Sequence, residues 1–133
     1  MYSTPPAPDI RKAWPVRLLL AAHLLVTAAP WLAIAGMAAW AWRASVSLGH
    51  WPIPLTDDPK FIAMGDQIYD RLGELAHTLL NLAFLSPFIL PVLAAVTWRD
   101  YRGGMRLWLI ALYVAGLVMI VLDPFGLLAW VVD

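Results

Sequence analysis

The sequence contains no cysteine. Disulfides, thiolate nucleophiles, thiolate-held zinc and iron–sulfur clusters are therefore excluded. Charge is nearly as scarce. Charged residues make up 14% of the 133 residues, and nine Lys and Arg balance nine Asp and Glu. A soluble domain carries roughly 25% charged residues, and a chain of this size has a large surface to solvate. With no net positive charge to offer phosphates, nucleic acid is excluded as a partner. Also missing are a Gly-rich phosphate loop, a GxSxG elbow and an HExxH pair.

What is abundant is apolar. Hydrophobic residues reach 62% and mean hydropathy is +0.71. The first charge-free run, residues 18–42, is 25 residues long. As a helix it would reach about 37 Å, more than the ~30 Å hydrocarbon core. Trp40 and Trp42 at its far end fit an interfacial belt. A cleaved signal peptide would have an apolar stretch of about 7–15 residues, and this run continues past the Ala33-Ile34-Ala35 sequence that would mimic a cleavage site. A retained span is expected. Residues 75–98 form a second run and 107–132 a third, interrupted by Asp123-Pro124. There the helix either continues through Pro124 or restarts with Asp123 as its cap.

The expected fold is all-α: an integral membrane protein with three transmembrane helices plus one short amphipathic surface helix. Residues 1–17 are a basic, Pro-rich start, with 1–10 expected to be poorly ordered. Residues 18–133 are a single membrane domain. Its outer loop and surface helix occupy 43–74, and its inner turn 99–106. Asp58-Pro59 has the form of a helix start, followed by Phe61, Met64, Ile68 and Leu72 at helical spacing. Pro87 and Pro91 should kink the second span, the freed carbonyls being met by Ser86, another helix or water. The short turn implies that the second and third spans are antiparallel neighbours. Small residues at Ala35/Ala39 and Ala111/Ala115, beside Gly36 and Gly116, offer close-approach faces.

Six cations, Arg11, Lys12, Arg17, Arg99, Arg102 and Arg106, fall on one side of the membrane, and three, Arg43, Lys60 and Arg71, on the other. By the positive-inside rule the N-terminus is cytoplasmic and the C-terminus outside, as in a bacterial inner membrane.

Polar residues inside spans are candidates for function. His23 would serve as a ligand for haem or another porphyrin, as a proton relay, or as an interhelical hydrogen-bond partner. His23 and His77 sit near opposite ends of their spans, about 20 Å or more apart along the membrane normal. One porphyrin would therefore need His23 from two copies. His77, Asn81 and Asp123 form a possible intramembrane cluster, with Asp123 and Asn81 or His77 expected within direct or one-water reach. Asp70 and Glu74, with His50 from the loop, form a possible outer cluster suited to proton transfer or a divalent metal. Solvated helix ends and caps are the structural alternative.

Three functions follow. The first is a non-enzymatic accessory or assembly subunit, with lipid, other membrane proteins or further copies of itself as partners. The second is a cofactor-binding or proton-handling component using His23, or His77, Asn81 and Asp123. The third is a membrane-embedded hydrolase or transferase using the outer cluster.

Overall fold

The computed structural model describes residues 10–97 and 103–132. Four helices follow in order: α1, Ile10–Leu48; α2, Gln67–Thr97; α3, Gly103–Leu122; and α4, Leu127–Val132. Stretches of the first three, Arg17–Leu48, Gln67–Thr97 and Gly104–Leu122, are long and apolar enough to cross a bilayer. The protein is an all-α, multi-pass membrane protein with a short fourth helix. The start at 1–9 and the Arg99–Arg102 part of the expected turn lie outside the described residues. Gly103–Arg106, expected in that turn, already belong to α3.

The central element is α1, which packs against α2, α3 and α4. Ala29, Ala33, Met37, Trp40, Ala41 and Ala44 are buried, at the three- and four-residue spacing that puts them on one helical face. They meet Tyr69, Ala76, Leu80 and Ala83, the buried face of α2. Lipid tails are as apolar as leucine, so close van der Waals fit, rather than hydrophobic exclusion, holds such helices together. A Cβ added to Gly36 would lie 3.0 Å from Leu79 Cδ1, and one added to Gly116 would lie 2.8 Å from Pro30 Cβ. The glycines make the close approaches. The neighbouring Ala35, Ala39, Ala111 and Ala115 face outward.

The expectation that α2 and α3 would be close neighbours is corrected. Both lean on α1, and the two share few close backbone approaches. Among the described residues the side-chain hydrogen bond that joins them is Ser86–Tyr113. The α1–α3 contact is fixed by Trp31, whose indole N–H donates to the Leu112 carbonyl at 2.8 Å.

The loop from 49 to 66 also differs from expectation. Residues 59–65 form turns, not a surface helix. Ala63 at φ 51° and Gly65 at φ 85° are left-handed, which breaks any helix passing through them. Asp58 accepts from the Lys60 N–H. The α2 cap is Asp66, whose Oδ1 accepts from the N–H groups of Ile68 and Tyr69. Asp66 also binds Arg43 at the end of α1, closing the loop. The third span is likewise shorter than 107–132. It ends at Leu122, and Asp123, at φ 41°, turns the chain into α4. Its Oδ1 accepts from Leu128 N–H and its Oδ2 from Ala129 N–H. The restart with Asp123 as cap is therefore what forms.

Candidate functional site

At the turn end of the bundle, His23 on α1 meets Thr97 on α2, Nδ1 to Oγ1 at 2.6 Å. The Thr97 hydroxyl donates its single proton to the Leu93 carbonyl, so His23 Nδ1 is the donor. Beside this pair is a cavity of about 160 Å³ lined by His23, Thr27, Leu90, Pro91, Arg106 and Ile110. Thr27 is 2% exposed, and its hydroxyl has no hydrogen-bond partner among the described residues. Ligand pockets usually hold about 300–1,000 Å³. This cavity falls below that range.

Half-way along the spans a second polar chain appears. Pro87 cannot donate to the carbonyl four residues back. Ser86 Oγ donates to that carbonyl, Ala83 O, at 2.6 Å, as the proline pattern led one to expect. With its proton so placed, Ser86 Oγ accepts from Tyr113 OH on α3 at 2.9 Å. Neither Thr97 nor Tyr113 stands out in the sequence as a partner. The available signal for Thr97 was its place at the charged end of the second run, near the depth of His23.

At the loop end an open groove of about 640 Å³ is lined by Trp40, Tyr69, Asp70, Gly73, Glu74 and His77, among others. Trp40 is 6% exposed and belongs to the core, not to the interfacial belt expected of it; Trp42 is exposed. The Trp40 ring packs tilted against Tyr69 at 5.5 Å, His77 at 5.4 Å and Trp130 at 4.9 Å. Such pairs each add about 0.5–1.5 kcal/mol beyond area burial, and these three tie α1 to α2 and α4. Gly73 leaves room for the indole, since a Cβ there would lie 3.0 Å from Trp40 Cε2.

The expected clusters form only in part. Asp70, Glu74 and His77 share the groove. His50 does not join them. It donates to the Trp51 carbonyl and lies 3.8 Å from Asp57. Glu74 pairs with Arg71 at 3.2 Å. Among the described residues no group of three or more His, Asp or Glu is placed to hold a metal. Among the described residues no hydrogen bond joins His77, Asn81 and Asp123. His77 Nδ1 donates to the Gly73 carbonyl at 2.8 Å, Asn81 is exposed, and both Asp123 oxygens face the start of α4. The reason is local: the Asp123 carboxylate is taken up by N–H groups of α4, and His77 by its own helix.

Asp66, outside the spans, is the titratable group with a perturbed environment at this end. Burial raises its pKa. The Tyr69 and Ile68 N–H groups and the Arg43 guanidinium outweigh that and hold it below its ordinary value.

Compared with family models, with curated proteins and with solved structures, the chain matches none.

Proposed function

We propose that this protein is a non-enzymatic accessory or assembly component of a larger membrane complex, docking on other membrane proteins or on copies of itself. The observation that carries this reading is how its carboxylates are used. Of the six described carboxylates, Asp57, Asp58, Asp66 and Asp123 each accept from backbone N–H groups, Glu74 pairs with Arg71, and Asp70 lines the open groove. General acid–base or metal chemistry needs such groups aimed together at a reacting atom; five of the six are aimed at the chain itself. The Lys and Arg distribution supports an N-terminus in the cytoplasm and a C-terminus outside, in a bacterial inner membrane.

The test is extraction from the native membrane in mild detergent, followed by native mass measurement. The expected particle is larger than one 14.8 kDa chain in its micelle, with fixed stoichiometry. Single chains throughout would overturn the reading.

One observation favours a second reading, proton handling or cofactor binding: the buried His23–Thr97 pair beside the cavity with Arg106. A Soret band in the purified protein would support the cofactor-binding form of this reading. His23→Gln with no effect on either proton leak or absorbance would remove this reading.

A further inference from the structure

The middle of the 49–66 loop turns back along the bundle. Pro54 is packed on Gly126, where an added Cβ would lie 3.1 Å from Pro54 Cγ. The Trp130 indole N–H donates to the Asp57 carbonyl at 2.7 Å. Leu55 shares a surface recess with Phe84, Leu128, Val132 and Asp123, whose two oxygens are both taken by α4 N–H groups. Phe84 lies seventeen residues beyond the start of α2, about 25 Å along its axis. It lies thirteen residues before the end of that helix, about 20 Å. A hydrocarbon core about 30 Å thick, set on the apolar run from Leu75 to Thr97, encloses Phe84. The loop therefore descends to a depth that lipid occupies around the rest of the bundle.

Its backbone is built for that depth. Pro52 and Pro54 have no N–H. The Ile53 N–H donates to Asp57 Oδ2 at 2.8 Å. The N–H groups of Thr56 and Asp57 both donate to the Ile53 carbonyl, at 3.2 and 3.0 Å. Backbone in hydrocarbon must find its partners within the protein, and a loop facing water has no such requirement. The side chains of Ile53 and Leu55 follow the same pattern, beside an exposed Thr56. Leu55 is 86% exposed and Ile53 51%, continuing the outward apolar surface of Phe84 and Phe88 on α2. Leu55 is also held at φ 63°, a conformation costly for leucine, and it places an apolar side chain at the tip.

We propose that residues 52–57 form a re-entrant loop whose tip, Leu55 with Ile53, is covered by the acyl chains of the leaflet on the loop side. The loop and α4 then complete the lipid-facing wall where α2 and α3 stand apart.

Because the chain has no cysteine, Leu55→Cys places a single spin label on the otherwise unchanged full-length protein. The probe is that protein in phosphatidylcholine vesicles, with oxygen and a water-soluble nickel chelate as competing relaxants. Phe88→Cys is the lipid reference and Gln67→Cys the water reference. The expected result is oxygen accessibility several-fold above nickel accessibility at position 55, as at 88. Nickel-dominated relaxation, as at 67, overturns the proposal. Low access to both reagents also overturns it, and spin–spin broadening lost on dilution with unlabelled protein then names a second copy as the occupant. Ile53→Cys repeats the measurement from the neighbouring exposed position and decides the case if Leu55→Cys does not fold.

Discussion

Ser86 shows how one side chain can answer two needs. It fills the acceptor that Pro87 leaves open on α2 and takes the Tyr113 proton from α3. Removing a buried partner leaves a polar group unsatisfied, so Ser86→Ala should destabilise by about 1 kcal/mol. Tyr113→Phe should cost less, because Ser86 keeps its bond to Ala83. The coupling in a double-mutant cycle should be about 0.6 kcal/mol, the average for interhelical hydrogen bonds in membranes. Reversible unfolding in mixed micelles measures all three. Asp66 carries the pH dependence at the same scale. Its folded pKa is depressed, so its contribution is fully present above its ordinary value near 3.8 and is lost as pH falls through the lower folded value. Asp66→Asn should lower the unfolding midpoint at neutral pH, and the gap from the native chain should close as pH falls through that window. A gap that persists below it would show that the carboxylate's charge is not what matters.

Among the elements, α4 is the most dependent on a single residue. It has six residues, too few to be stable alone, and its first N–H groups rest on Asp123. Asp123→Ala should cost about 1 kcal/mol, as for a lost helix cap. It should also speed hydrogen exchange at the Leu128 and Ala129 amides while leaving α1 and α2 protected. Asp123→Asn retains one acceptor oxygen and should give an intermediate rate. The Asp123-Pro124 pair made this break legible in the sequence. The start of α2 was not legible in the same way. Asp58-Pro59 has the form of a helix start, yet α2 begins after Asp66, because Ile62 and Tyr69 dock in the core and Ala63 and Gly65 adopt left-handed backbone. Local sequence does not contain that docking.

For the whole molecule, three spans place the 49–66 loop and α4 at one end of the bundle and the α2–α3 link at the other. The six-to-three cation asymmetry predicts which end faces the cytoplasm. His50→Cys should react with a membrane-impermeant maleimide in intact cells, and Asp100→Cys only after lysis. The opposite pattern would reverse the orientation. Loss of both reactions in intact cells would place the loop end inside as well and exclude three spans.

Composition and charge-free run length fixed the solvent of this protein and the number of its crossings, because hydrocarbon rejects ionic groups wherever they fall in the fold. The tertiary structure alone decided which polar residues meet. Asn81 and Asp123 have the right types and similar expected depths, yet Asn81 is exposed and both Asp123 oxygens are taken by the start of α4. His23 found Thr97 and Ser86 found Tyr113 because close packing at Gly36 and Gly116 set which helices touch. Spacing along one chain gives the faces of each helix, and only the packing of the helices together gives the neighbour that each face receives.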